Sequence, residues 1–356
     1  MNSLKEKRFF WNKLAYFTSK QTFKSLQILP PETAHTIGLL FLKFKFHNLL
    51  LKPNFSNGVY DIRTKLPNVG LLSHPIGLAA GFDKSALCPD AWYDLGFSFV
   101  EFGTATPLPQ RGNPKPRLFR YKEQLALINR MGFNNDGCQI ILQRLQNSRL
   151  NKTKKIFGIN LGKNSKTPLE RAQNDYLTAL NHCDESNAKY YVINISSPNT
   201  SGLRKLANVD FLRSMASDLK TQRVSGTKDI WIKLSPDIER IEFQKLISII
   251  AEEDYAGVIL SNTHSINAPE KGGLSGHPLS LLSSRALELA YDVHKGNLPM
   301  IGSGGILSGI DVLEKIKRGA HAVQIYTALV YRGPWVIYLL LEEILNELKT
   351  LGIRQL

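Results

Sequence analysis

Two amides flank a hydroxyl in Asn194-Ile-Ser-Ser-Pro-Asn-Thr200: Asn194 and Asn199 stand on either side of Ser197, on a stretch stiffened by Pro198. Amides read both donors and acceptors of a planar polar ligand, and the hydroxyl lies between them. The same residue types also build ordinary turns. What precedes them gives them weight. Tyr190-Tyr-Val-Ile193 is an uninterrupted apolar run of the kind that forms a buried parallel strand. In parallel α/β folds the loop at the C-terminal end of such a strand is where chemistry sits.

Runs of this kind recur eight times, over residues 76–80, 97–103, 155–160, 190–195, 230–234, 257–260, 299–302 and 322–326. Amphipathic segments such as 169–181, 241–251 and 309–318 alternate with them. The pattern predicts a (β/α)8 TIM barrel. A doubly wound open sheet is the alternative, but it would carry fewer strands and a glycine-rich turn after the first. An insertion over 104–154 is long enough to hold an active-site loop.

The predicted strand ends share one chemistry. They present Asp83 and Lys84, Thr104, Asn160, Asn194 with Ser197 and Asn199, Lys233, Ser261 with Asn262 and Thr263, Gly304-Gly305, and Tyr326-Thr327. Buried polar groups cost several kcal/mol without partners, so packing is a poor account of the set. It offers amides, hydroxyls and two lysines, but neither paired carboxylates for hydrolysis nor clustered metal ligands. Such a face suits a flat, polar, anionic molecule and leaves redox chemistry to a cofactor. Gly272-Gly-Leu-Ser-Gly276 and Gly302-Ser-Gly-Gly-Ile306 offer bare backbone amides late in the chain, where barrels bind phosphate. They point to a phosphorylated cofactor such as FMN.

Composition bounds the rest. The 356 residues are 43% hydrophobic and 21% charged, ordinary for a soluble globular protein. The three cysteines, Cys88, Cys138 and Cys183, are far apart, which argues against a zinc site or a disulfide framework. No apolar run reaches the length of a membrane span, and no secretory signal is evident. The net charge of +15 is concentrated at the front: residues 1–52 hold nine Lys or Arg against Glu6 and Glu32, a local +7. Phe9, Phe10, Trp11, Leu14 and Phe17 interleave with these, as do Phe41, Phe44 and Phe46. That mixture suits an interfacial helix on an anionic bilayer, a nucleic-acid patch, or a basic helix packed on its own domain. Two helices are expected here, the first over 4–26 and the second from Pro31 to about residue 51, with a linker at 52–58.

Seven ordered motifs then resemble the dihydroorotate dehydrogenase family over essentially the whole chain. They are Ala79-Ala-Gly-Phe-Asp-Lys84, Glu101-Phe-Gly-Thr-Ala-Thr106, Asn129-Arg-Met-Gly-Phe-Asn-Asn135, Gly158-Ile-Asn-Leu-Gly-Lys163, the 194–200 loop, and the two glycine-rich stretches above. The front segment and a serine where the soluble class carries cysteine make the resemblance one to class 2, the quinone-linked, membrane-associated branch. By that resemblance residues 1–52 form the membrane-associating extension and quinone tunnel, and residues 53–356 the FMN-binding barrel. FMN would be held by Ala80, Gly81, Phe82, Asp83, Lys84, Thr104, Asn160, Asn194, Lys233, Ser261, Gly276, Gly305, Tyr326 and Thr327. The substrate would be held by Lys84, Asn129, Arg130, Met131, Gly132, Phe133, Asn194, Asn199, Asn262 and Thr263. His35, Arg120 and Tyr326 would line the tunnel.

The reaction so implied is oxidation of (S)-dihydroorotate to orotate, the fourth step of de novo pyrimidine (UMP) biosynthesis. Ser197 would take the C5 proton while the C6 hydrogen leaves as hydride to flavin N5, and a membrane quinone would then accept the electrons. Ser196 is the competing hydroxyl; the alternation of the motif and the resemblance both favour Ser197. The implied protein is a monomer, peripheral on the cytoplasmic side of a cell inner membrane, with no nucleic-acid partner and no metal. Two other readings compete: a flavin barrel acting on RNA, which would use a cysteine acid, and a membrane-bound ligand-binding barrel without catalysis. No cysteine falls in a predicted catalytic loop, and the Ser197, Lys84 and Lys233 set argues against the second.

Overall fold

A computed structural model describes residues 26–49, 60–223 and 226–356. Eight parallel strands close into a barrel: Ile76–Leu78, Phe99–Ala105, Ile156–Leu161, Tyr190–Asn194, Ile230–Leu234, Gly257–Leu260, Met300–Ser303 and Ala322–Ile325. Consecutive strands are neighbours throughout, and the eighth pairs with the first through Val323 and Ile76. Every residue of these strands is buried. That explains the uninterrupted apolar runs: one face looks into the barrel and the other is covered by helices. The first strand stops at Leu78, two residues short of the expected end, because the chain turns at Gly81 (φ 93°) into the mouth.

Aromatic rings fill the interior. Phe99, Tyr190 and Trp231 pack there with Ile259 and Ile301, and the hairpin of Thr64–Leu66 and Gly70–Leu72 plugs the N-terminal end with Leu66 and Leu72. The rings need room on the next strand. A Cβ at Gly77 would lie 2.5 Å from the Phe99 ring, and one at Gly158 would lie 2.3 Å from that of Tyr190. The helices outside are those the periodicity predicts, including Ala172–Cys183, Arg240–Glu252 and Gly309–Lys317.

The mouth carries a second, antiparallel sheet of four strands in the order His264–Ile266, Gly272–Gly276, Ala126–Asn129, Leu118–Tyr121. Two strands come from the 104–154 insertion and two from the loop after the sixth barrel strand. This corrects one expectation. Gly272–Gly276 is a strand and not a loop: it pairs with Ala126–Asn129 on one side, and its Gly272–Leu274 part pairs with His264–Ile266 on the other. Its glycines permit close approach: a Cβ at Gly272 would stand 2.5 Å from the Asn129 carbonyl oxygen.

The front differs as well. The second expected helix spans Pro31–Lys43 and does not run to about residue 51; Lys45 adopts φ 60°, and a short 3-10 turn, Phe46–Leu49, follows. Leu39 and Leu42 are buried, while Ile37, Leu40, Phe41 and Phe44 are exposed. Glu32 anchors the helix to the insertion through Arg117 at 2.8 Å and Lys115 at 3.3 Å. The expected first helix and the 52–58 linker lie outside the described residues. Among the described residues no helix is long and apolar enough to cross a membrane.

Candidate active site

The barrel strands deliver a polar network to their C-terminal ends. Glu101, fully buried on the second strand, accepts from Asn160 Nδ2 at 2.8 Å and Gln324 Nε2 at 2.5 Å, and lies 3.6 Å from Lys233 Nζ. Asn160 Oδ1 accepts from Thr104 Oγ1 at 2.6 Å and Asn194 Nδ2 at 3.0 Å. Strands two, three, four, five and eight are thus tied together by side chains whose partners fix each amide's orientation. Gln324 Oε1 is the open end of this network, buried with no partner among the described residues; the paired members hold one another rigid.

Above it lies a cleft with about 1030 Å³ of empty space, part of it open to solvent. Asn194, Ser197 and Asn199 line it from the fourth strand; Lys84, Lys233, Asn262 and Thr263 reach it from the first, fifth and sixth. The mouth sheet and the turn after it add Asn129, Met131, Gly132 and Phe133. Ala80, Gly81, Thr104, Ser261, Gly276, Gly305, Tyr326 and Thr327 complete the wall, with Ser275, Ser303 and Gly304 beside them. Asn199 Nδ2 donates to Asn129 Oδ1 at 3.1 Å, which joins the barrel loop to the mouth sheet.

The two serines have different surroundings. Ser196 Oγ donates to Asn194 Oδ1 at 2.9 Å and accepts from Asn262 Nδ2 at 2.8 Å, so its hydroxyl is engaged in both senses. Among the described residues Ser197 Oγ accepts only the Asn199 N–H, at 3.2 Å, and it lines the cleft. Arg204 braces this loop from behind. Its guanidinium donates to the carbonyls of Ser196 and Thr263, both at 3.1 Å, and pairs with Asp237 at 2.5 Å. Three residues beyond Ser197, the Thr200 hydroxyl is buried with no partner among the described residues.

Lys84 Nζ donates to Gly81 O at 2.7 Å. Burial, reinforced by the Arg117 guanidinium, lowers its pKa to about 8, against the opposing pull of Glu32 and Asp83. An ammonium so short of solvent gains strongly from an incoming carboxylate.

Several expected site residues sit elsewhere. The Asp83 carboxylate turns away from the cleft to accept from Leu87 N (2.7 Å), Cys88 N (3.1 Å) and Trp92 Nε1 (3.0 Å). Arg130 extends outward to Glu270 at 2.7 Å, and Asn160 acts from beneath the wall. Phe82 and His35 line a second cleft, between the Pro31–Lys43 helix and the insertion. Their rings meet at 4.9 Å, and Phe82 meets Tyr326 at the same distance. Burial, with Lys84 close by, drops the His35 pKa to about 3, so the imidazole is neutral at ordinary pH. Arg120 lines neither cleft; it holds the chain ahead of the helix by donating to Gln27 O at 2.5 Å. Sequence reasoning gave Glu101 and Gln324 no role. The signal for Glu101 was present: a carboxylate inside the apolar run Phe99-Val-Glu-Phe102. The three cysteines are buried away from the cleft, and no metal-binding cluster occurs among the described residues.

Fold and site define a (β/α)8-barrel enzyme whose site opens at the C-terminal ends of the strands. A family model described as Dihydroorotate dehydrogenase matches residues 62–349. A dihydroorotate dehydrogenase (quinone) of Thermus thermophilus is 41% identical over 340 residues, covering 92% of this chain and 96% of that protein. One of Neisseria meningitidis is 39% identical over 326 residues, 87% of this chain and 94% of that protein. The crystal structure of ligand-free DHODH from Eimeria tenella superposes with a TM-score of 0.82 at 34% identity, over 91% of this chain and 97% of that one. This chain belongs to the dihydroorotate dehydrogenase family, and it is an oxidoreductase.

Proposed function

We propose that the protein oxidises (S)-dihydroorotate to orotate with FMN as its resident cofactor and a quinone as electron acceptor, in pyrimidine biosynthesis. One observation carries the reading: a serine hydroxyl that donates to no group among the described residues, a lysine ammonium and a ring of amides converge on one cleft above a buried lysine. The residues fit FMN. Gly305, at φ 74°, approaches Ser280 so closely that a Cβ would lie 2.2 Å from its Cα, leaving bare backbone on the cleft wall. Ser275 and Thr327 hydroxyls stand 3.0 Å apart at the same end, and Lys233 offers positive charge from the floor.

When bound, FMN supplies the hydride acceptor and relays the electrons to the quinone. Everything else falls to side chains. Lys84 pairs with the substrate carboxylate; Asn129, Asn194, Asn199 and Asn262 hold the ring's imide and carbonyl groups; Met131, Gly132 and Phe133 close over it. Ser197 Oγ takes the C5 proton as the C6 hydrogen leaves with its electron pair. Serine is a weak base in water, so the buried setting and the brace of Arg204 are what make that step accessible. Residues 1–52 serve as the membrane-contacting extension and residues 53–356 as the catalytic barrel. The basic and aromatic composition of the front supports a peripheral position on the cytoplasmic face of an inner membrane, and His35 and Tyr326, linked through Phe82, support a quinone path beside the Pro31–Lys43 helix.

The test uses the full-length protein as purified. Its yellow flavin should bleach anaerobically on addition of dihydroorotate and recover with a quinone, but not with fumarate or NAD. Absence of bleaching would sink the substrate, and recovery with fumarate would sink the class.

A further inference from the structure

Lys315, on the Gly309–Lys317 helix, is 1% exposed. Its ammonium reaches only neutral oxygens: Ser283 Oγ at 2.5 Å, Ser284 Oγ at 2.9 Å and Ser280 O at 3.2 Å. Among the described residues it has no ion pair, and the nearest carboxylates are committed elsewhere. Asp311 caps its own helix by accepting from Ser308, and Glu288 pairs with Arg318 at 2.7 Å. Burial, with Arg318 close by, lowers the Lys315 pKa to about 8. A buried cation without a counter-ion costs several kcal/mol, and a packed apolar side chain would avoid that cost. Packing alone therefore does not explain a lysine here.

What lies beyond the serines does. Ser283, itself fully buried, donates to Gly304 O at 2.8 Å. Gly304 and Gly305 both have positive φ and line the cleft, and Gly305 rests against Ser280. Lys315 is thus two hydrogen bonds behind the backbone that faces the cleft at its glycine end. We propose that Lys315 is a positioning residue and buried counter-charge for a phosphomonoester dianion seated on Gly304-Gly305, acting through Ser283 and the Ser280 backbone. This rests on the FMN reading above and adds to it: the unbalanced charge in the protein is matched by the ligand.

The experiment is a fluorescence titration of the full-length chain, freed of flavin, with FMN and separately with riboflavin, which has the same ring and no phosphate. Wild type is compared with Lys315→Gln, which keeps an amide donor toward Ser283, and with Lys315→Met, which keeps only the stem. Both variants should raise the FMN dissociation constant by about tenfold or more, the scale of one partly screened charge pair, and leave that of riboflavin within about twofold. Equal losses for the two ligands, or none for either, overturn the proposal. So does failure of both variants to fold, read by circular dichroism, since that makes Lys315 a packing residue. Wild type binding neither ligand is a different result: it removes the flavin reading itself, and the proposal with it.

Discussion

Glu101→Gln probes the floor of the cleft with almost no change of shape. The carboxylate is fully buried, 3.6 Å from Lys233 Nζ, and that lysine is itself buried. At an effective dielectric of about 20, two unit charges at this separation attract by about 4–5 kcal/mol. The glutamine loses that attraction and acquires a second fault. Asn160 and Gln324 each donate to a different oxygen of Glu101, so one of them would face the new amide's own N–H. The expected loss of stability is about 3–5 kcal/mol, the range for a buried pair broken on one side. Urea denaturation of the flavin-free full-length protein measures it, in a cycle with Lys233→Met and the double variant. Because the double variant buries no lone cation, it should be more stable than the sum of the single losses predicts, by about 2 kcal/mol or more. Additivity within about 0.5 kcal/mol would refute the coupling between Glu101 and Lys233.

Ser197→Ala should slow flavin reduction by dihydroorotate by about 10²–10⁴-fold while the substrate still binds; an unchanged stopped-flow rate would remove serine as the base. Lys84, with its pKa at about 8, must be protonated to pair with a carboxylate, so kcat/KM for dihydroorotate should fall as pH rises through about 8. Lys84→Met should flatten that limb, and a limb that survives belongs to another group. The same depressed pKa makes the unfolded chain the better proton binder above about 8, so this residue's contribution to stability improves with pH there and is least favourable below it. Asp83→Ala strands three donors, two of them buried, and should cost about 3 kcal/mol or more in urea unfolding; a loss under about 1 kcal/mol would contradict the hydrogen bonding described. Removing residues 1–50 should abolish quinone turnover and leave flavin reduction measurable, whereas equal loss of both would make the extension a structural support, as the Glu32–Arg117 pair allows.

The barrel was legible because strands covered on both faces cannot hide their apolar runs, and Tyr190-Tyr-Val-Ile193 or Ile230-Trp-Ile-Lys-Leu234 have no alternative use. Their polar ends were legible for the same reason, since an amide or lysine at the edge of such a run stands out. The mouth sheet was not. Gly272-Gly-Leu-Ser-Gly276 has little strand propensity of its own and becomes a strand only by pairing with Ala126–Asn129 on a distant part of the chain. Side-chain direction was a second blind spot. Asp83 adjoins Lys84 in sequence, yet one points to a helix N-terminus and the other to the cleft, a choice made by local backbone that composition does not record. Glu101 was visible as a charge in an apolar run, but its partners come from strands three, five and eight and no short motif contains them.

The mouth sheet also carries an expectation about folding order. Asn129 and Gly273, whose side-chain to backbone hydrogen bond helps hold that sheet together, are 144 residues apart in the chain. Closing so long a loop is an entropic cost that local structure does not offset until the intervening strands have assembled. The sheet's two halves issue from the second and sixth barrel strands, so the loop that joins them is shortest in space once the strands between them are in place. Loop-closure entropy thus predicts that the amides above the cleft are among the last parts of the molecule to assemble. On that expectation a newly made chain gains its ligand site at the end of folding, and no fragment that stops short of the sixth strand's loop contains all the residues that line the cleft.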